Sequence, residues 1–186
     1  GKTTVFNVIT GVYKATSGQA KFRNQSLTGK RPHEILTDGI ARTFQNIRLF
    51  TSMTALENVM IAQHARSSSG VFGAILRSKS ARKEEERIIA KAMESLEFMD
   101  LGKYAYDVAK NLPYGLQRRL EIARALASVP QVILLDEPAA GLNPAESNAL
   151  MDDIKRISEH GVNVLLVEHD MKVVMGACTR IVVLDH

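Results

Sequence analysis

Val132-Ile133-Leu134-Leu135-Asp136-Glu137-Pro138 is the stretch on which the fold turns. Four apolar residues in succession, with no polar residue alternating between them, predict a strand buried on both faces, as in the middle of a parallel sheet. Asp136 and Glu137 follow at once, at the C-terminal end of that strand, the edge where open α/β sheets place their ligands. Pro138 and the turn Ala139-Ala140-Gly141-Leu142 fix the chain's exit, which sets the two acids apart from a pair of solvated loop carboxylates.

Outward from this strand the chain alternates. Downstream, helical periodicity over 145–159 is followed by a strand at 162–167, a short helix near 171–175 and a strand at 180–184. Upstream, apolar residues at Leu116, Leu120, Ile122, Ala123 and Leu126 predict a helix over 116–127, stopped by Pro130. The N-terminal part reads as a helix over 3–10 with an apolar face of Val5, Val8 and Ile9 and an end at Gly11. A short strand at 20–22, a brief helix at 32–36 and a strand at 40–44 that delivers Gln45 come next. Alternation of this kind predicts right-handed crossovers and a mainly parallel sheet. The middle of the chain is different: helices at 55–64 and 81–98, with a Ser/Gly break at 67–70, predict a helical subdomain inserted into the α/β domain.

Composition sets the outer bounds. A chain of 186 residues with 45% hydrophobic content can bury a substantial core. The formal charge of +4 is modest, and the one dense basic patch, Arg77, Lys79, Arg82 and Lys83, is offset by Glu84, Glu85 and Glu86, so it reads as a solvated helix face. Cys178 is the single cysteine, which excludes an internal disulfide and fits a reducing compartment. No apolar run reaches the length of about 18 residues needed to cross a bilayer.

Three further positions carry chemistry. Gly1-Lys2-Thr3-Thr4 matches the end of the phosphate-binding pattern G-x-x-x-x-G-K-[ST], in which backbone N–H groups wrap the phosphates and a helix N-terminus faces them. Lys2 would then meet the β and γ phosphates, and Thr3 would offer its hydroxyl to Mg²⁺. On this reading the chain is an internal piece of a longer protein, lacking most of the loop and the strand that feeds it, and by itself a poor nucleotide binder. Asp136 suits holding the magnesium ion through water, and Glu137 orienting and polarising the attacking water. His169 follows the strand at 162–167 as the acids follow theirs, so its imidazole can reach a γ phosphate and tie it to Glu137.

Together, Gly1 to Thr4, Gln45, the run from Leu112 to Arg119, Asp136 to Pro138 and His169 resemble the ATP-binding subunit of an ABC transporter, over nearly the whole chain. The runs Ile40 to Thr54, Asp136 to Pro144 and Glu168 to Met175 are most similar to the ATPase subunits of high-affinity branched-chain amino-acid importers. The resemblance implies a P-loop NTPase fold with a RecA-like core over 1–45 and 128–186 and a helical subdomain over about 46–127. It implies that Gly1, Lys2, Thr3 and Thr4 are the Walker A end and Gln45 the glutamine that contacts magnesium and water. Asp136 and Glu137 would be the Walker B acids and His169 the switch histidine. Such subunits close on ATP as sandwich dimers, so Pro113, Tyr114 and Gly115 would meet the γ phosphate held by a second ATPase subunit, identical or paralogous. Asn143 would lie in the loop between the two ATP sites. Membrane permease subunits are the implied partners, with the docking helix received near 47–59 by Leu49, Phe50 and Met53. The implied location is the cytoplasmic face of the inner membrane, as a peripheral subunit.

One stretch departs from the family pattern. Where Leu-Ser-Gly-Gly-Gln is usual, this chain has Leu112-Pro113-Tyr114-Gly115-Leu116, so Pro113 replaces a serine that would donate to the γ phosphate. Loss of one such donor, worth about 1–3 kcal/mol, predicts weakened dimer closure. No residue for stacking on adenine is evident. A different class with the same phosphate chemistry, ABC-type ATPases acting on nucleic acid or the ribosome, would show coiled-coil insertions, a tandem cassette or a basic stripe interleaved with aromatics. None is present in the sequence, and nucleic acid is not an expected partner. A nucleotide-binding module without catalysis is disfavoured by Glu137.

Overall fold

A computed structural model describes residues 1–64 and 79–184. Over these residues the chain divides into two compact units, Gly1–Asn46 with Pro130–His186, and Ile47–Val129.

The first unit is built on the apolar run. Strand β4 (Val132–Asp136) is flanked by β3 (Ile40–Arg42) and β5 (Asn163–Val167), both parallel to it, in the order β3-β4-β5. Register pairs Arg42 with Leu134 and Asp136 with Val167. Ile133, Leu134 and Leu135 are essentially inaccessible, as a strand covered on both faces requires. On β5, Asn163 and Leu165 stay exposed and only Val167 is fully buried.

Helix α1 (Lys2–Ile9) packs Phe6 into a core with Leu27, Ile35, Ile40, Leu134 and Val167. The predicted face is shifted: Val5 is exposed, and Phe6 is the residue the helix buries. Gly11 follows with φ +70°, and a Cβ there would lie 2.4 Å from the Lys30 carbonyl oxygen, so the turn requires glycine. A small antiparallel hairpin, β1 (Lys21–Phe22) and β2 (Gln25–Ser26), precedes α2 (Pro32–Thr37). After β4 come α6 (Pro144–Glu159), β5 and α7 (Met171–Ala177).

The predicted strand at 180–184 does not form: Ile181, Val182, Val183 and Leu184 are irregular and exposed. The reason is pairing. Among the described residues no strand lies beside this run to accept its ladder, and an unpaired β-type sequence gains nothing from extended backbone. Cys178 is partly buried, with its thiol pKa raised by desolvation.

The second unit is helical. Helix α3 (Ala55–His64) packs against α4 (Lys79–Phe98) and α5 (Tyr114–Ala127). Ala55, Val59, Ala92, Leu96, Met99, Leu120 and Ile122 form its interior. Thr54 and Glu57 build a reciprocal cap at the start of α3: the Thr54 N–H and hydroxyl donate to Glu57 Oε2 at 2.7 and 2.9 Å, and Glu57 N–H donates to Thr54 Oγ1 at 3.2 Å. Those bonds hold the Glu57 carboxyl below its ordinary range. Buried Asn58 donates to the carbonyls of Phe50 and Thr54 and accepts from the Phe50 N–H, folding 50–54 onto the helix. Two 3-10 turns, Gly102–Tyr104 and Ala109–Asn111, lead into α5. The predicted break at 67–70 and Arg77 of the basic patch lie outside the described residues. Among the described residues no helix is long and apolar enough to cross a membrane.

Candidate functional site

The C-terminal ends of β3, β4 and β5 bring the first unit's chemistry together. β4 runs out at Asp136, whose side chain is 2% exposed. The next residue, Glu137, takes φ +46°, a conformation costly for a residue with a Cβ, and its N–H donates to the Val167 carbonyl at 2.9 Å. This kink turns the Glu137 carboxylate away from the strand axis. There Gln45, delivered beyond β3, donates from Nε2 to Glu137 Oε2 at 2.8 Å. His169 Nδ1 lies 3.8 Å from Glu137 Oε1, with the imidazole largely exposed. Side chains from two neighbouring strand exits thus meet the carboxylate at a third.

Glu168 organises that meeting, and the sequence reading passed over it. Its carboxylate, 1% exposed, accepts from the N–H groups of Ala139 at 2.9 Å, His169 at 3.0 Å and Asp170 at 3.3 Å. It therefore staples the loop after Glu137 to the loop that carries His169. The one available signal was its position: it stands just beyond a strand, between Val167 and His169. Its main-chain oxygen also receives Lys2 Nζ at 3.5 Å, which places the start of α1 beside the end of β5.

Gly1 is the N-cap of α1, and Thr4 N–H donates to the Gly1 carbonyl at 3.1 Å. Thr3 and Thr4 are exposed on the first turn. A lysine and exposed hydroxyls at a helix N-terminus suit a phosphate group, since unpaired N–H groups and the helix dipole both favour an anion there. Arg42, also absent from the sequence reading, pairs with Asp136 across the sheet, Nη2 to Oδ2, at 2.8 Å. The other oxygen, Asp136 Oδ1, is buried without a hydrogen-bond partner. Among the described residues no three acidic, histidine or cysteine side chains converge as a metal cage. A single orphaned carboxylate oxygen fits Mg²⁺, which takes one or two carboxylates plus substrate phosphates and keeps its waters.

Asn143 caps α6: its Oδ1 accepts from Ala145 and Glu146 N–H at 2.9 and 3.0 Å, and Glu146 returns a bond to the Asn143 N–H at 2.9 Å. The remaining expected residues belong to the second unit, where they open α5. Pro113 is the N-cap and makes no side-chain capping bond. Tyr114 is partly exposed, and Gly115 is buried on the first turn. Phe50 is exposed, while Leu49 and Met53 are half-buried.

A lysine-headed helix, an acid pair at the exit of a central strand, and a glutamine and a histidine converging on the second acid define a nucleotide hydrolase of the P-loop class. The chain belongs to the ABC transporter family, whose sequence model matches residues 1–140. It is 45% identical over all 186 residues to the high-affinity branched-chain amino acid transport ATP-binding protein LivG of Escherichia coli, covering 73% of that protein. It is 44% identical to the corresponding protein BraF of Pseudomonas aeruginosa, again over the whole chain and 73% of the relative. Among solved structures it resembles a nucleotide-free ATP-binding cassette from an ABC transporter, with TM-score 0.79 and 34% identity, covering 95% of this chain and 69% of that one. A dimeric cassette in a post-hydrolysis state bound to ADP and Pi aligns with TM-score 0.76 and 28% identity, covering 95% and 73%. The fold is therefore the mixed α/β fold of ABC ATPases, and ATP hydrolysis is the activity of the full-length form.

Proposed function

We propose that this chain is the ATP-hydrolysing subunit of an importer for branched-chain amino acids. Its 45% identity across every residue to a transport ATP-binding protein of that description supports the solute class. The observation that carries the mechanism is the convergence of Gln45 and His169 on Glu137, beside Asp136 and within one unit as Lys2.

Lys2 meets the β and γ phosphates of ATP, with the N–H groups of the first turn of α1 behind it. Thr3, Gln45 and Asp136 hold Mg²⁺, which when bound neutralises charge on the phosphate oxygens. Glu137 accepts a hydrogen bond from the attacking water and orients it in line with the γ phosphorus. The water oxygen bonds to that phosphorus as the bond to the bridging oxygen breaks, leaving ADP and inorganic phosphate. His169, close to Glu137, contacts the γ phosphate and reports its presence, and Gln45 links the same carboxylate to the segment leading into the second unit. Pro113, Tyr114 and Gly115 face the γ phosphate held by a second ATPase subunit, so that each site is shared, and Asn143 stands in the loop between the two sites. Permease subunits at the cytoplasmic face of the inner membrane receive the motion.

The test is purification of the full-length protein from membranes. Co-purification with an integral membrane permease, and loss of leucine, isoleucine and valine uptake when its gene is deleted, are the expected results. Association with ribosomes or DNA would overturn the reading.

A further inference from the structure

Arg42 is a buried cation, its side chain 6% exposed, and each of its terminal nitrogens has a separate task. Nη2 donates to Asp136 Oδ2 at 2.8 Å. Nη1 donates to Asn7 Oδ1 at 2.7 Å and to Thr10 Oγ1 at 3.0 Å, which lie in and at the end of α1. Two rings pack on the guanidinium: its carbon lies 5.6 Å from the Phe6 centroid on α1 and 4.9 Å from that of Phe44. One side chain on β3 therefore joins the helix that begins with Lys2, the strand that leads to Gln45 and the strand that ends in the acid pair. Asp136 keeps a second oxygen, Oδ1, buried and without a hydrogen-bond partner.

A lysine could neutralise Asp136 equally well. The planar fork of arginine adds direction, because its nitrogens can bond the carboxylate and α1 at once and fix the rotation of both. We propose that Arg42 is a positioning residue for the magnesium site, which holds Asp136 by Oδ2 so that Oδ1 alone is offered to Mg²⁺, in a fixed relation to α1. The inference rests on the assignment of Asp136 as the magnesium-holding acid. It predicts that charge alone does not replace arginine, and that loosening its hold on α1 weakens metal use although the ion pair with Asp136 remains.

The test compares binding of a fluorescent ATP analogue to full-length protein in EDTA and in saturating Mg²⁺, the ratio of affinities giving the gain due to metal. Electron paramagnetic resonance of Mn²⁺ on the nucleotide-loaded protein supplies an independent metal affinity. Arg42→Lys and Arg42→Met should each leave affinity in EDTA within about twofold and lower the metal gain by about tenfold, the scale expected when a residue orienting a metal ligand is removed. The double variant Asn7→Ala with Thr10→Val keeps the ion pair and should lower the gain by about threefold. It also serves if replacing Arg42 prevents folding. An unchanged gain in Arg42→Lys or in the double variant, or equal losses in EDTA and Mg²⁺, would overturn the proposal. Asp136→Asn separates the two layers: a full metal gain in that variant removes the assignment of Asp136 itself, whatever Arg42 does.

Discussion

The two units each bury an arginine against an acid, and the pairs differ in one atom. In the helical unit Arg118 and Glu121 are 0% and 1% exposed, and both carboxylate oxygens accept: Oε2 from Arg118 Nη1 at 2.9 Å, Oε1 from the Arg48 N–H at 3.3 Å. In the sheet unit Arg42 and Asp136 are almost as deeply buried, yet Asp136 Oδ1 has no hydrogen-bond partner. A buried charge is tolerated when its lone pairs are filled, and an unfilled one costs free energy that something outside the chain can recover. The first pair looks inward and ties α5 to the segment after Asn46. The second leaves one carboxylate oxygen unfilled at the end of a strand, where a cation would take it up.

That contrast is easiest to break at Glu137, beside the unfilled pair. Glu137→Gln keeps size and hydrogen-bonding capacity and removes the charge to which the proposal gives the polarising of water. ATP hydrolysis by the full-length protein should fall by about three orders of magnitude, the range of general-base catalysis, while Mg·ATP affinity stays within a few-fold. An unchanged steady-state rate would remove Glu137 from the chemistry. The filled pair should behave in the opposite sense. Glu121→Leu strands Arg118 in the interior and should cost about 3–5 kcal/mol of stability by urea unfolding, and adding Arg118→Met should recover most of it. The double variant, once folded, should hydrolyse ATP at close to the parent rate. A stable protein with lost turnover would show that this pair too belongs to the working site.

These differences explain what could be read in advance. The run Val132 to Leu135 announced a central strand because continuous apolar sequence has one good home in an α/β domain, and the helices expected at 55–64 and 145–159 followed from period. Glu137 and His169 stood out because polar residues just beyond strand ends are where open α/β sheets place ligands, and Gln45 through the family resemblance. Arg42 and Glu168 did not stand out. Their importance lies in partners 32 to 94 residues away for Arg42 and 29 and 166 residues away for Glu168, which periodicity cannot join. The run 180–184 failed for the same reason in reverse, since β propensity is expressed only when a neighbouring strand supplies the ladder. On α1 the apolar residues Val5, Phe6, Val8 and Ile9 circle much of the helix, so the pattern left the buried side open to misreading.

Glu168 tests whether the site is held by its surroundings as well as by its reacting groups. Glu168→Gln retains one carbonyl oxygen and turns an NH₂ toward N–H donors that now meet an acceptor, so the link between Ala139 and His169 loosens. We expect kcat to fall by about ten- to thirtyfold with KM for ATP little changed, because the groups displaced act on the water and γ phosphate more than on binding; a single hydrogen bond to a charged group is worth about 1.5–3 kcal/mol. Glu168→Asp, which keeps the charge, should restore part of the loss. Equal falls in kcat and in ATP affinity would make Glu168 a fold residue only.

The smallest effect is expected at Pro113, in the second unit. As the N-cap of α5 it takes φ −53° and ψ 150°, the extended conformation favoured at this position, but it has no side-chain oxygen to accept from the N–H groups of the first turn. Pro113→Ser supplies one without asking the backbone to move. A capping serine is worth about 0.5–2 kcal/mol, so unfolding in urea should shift upward by about 1 kcal/mol. The same hydroxyl can instead donate to a γ phosphate presented by a second subunit, in which case ATP-dependent dimer affinity or turnover should rise by about fivefold, the low end of the roughly 1–3 kcal/mol such a donor is worth. A hydroxyl already spent on the cap still donates its proton, so both gains can appear together. Added stability without any change in dimerisation would confine this position to its own helix, and a gain in dimerisation would show that the cassette normally works one phosphate donor short.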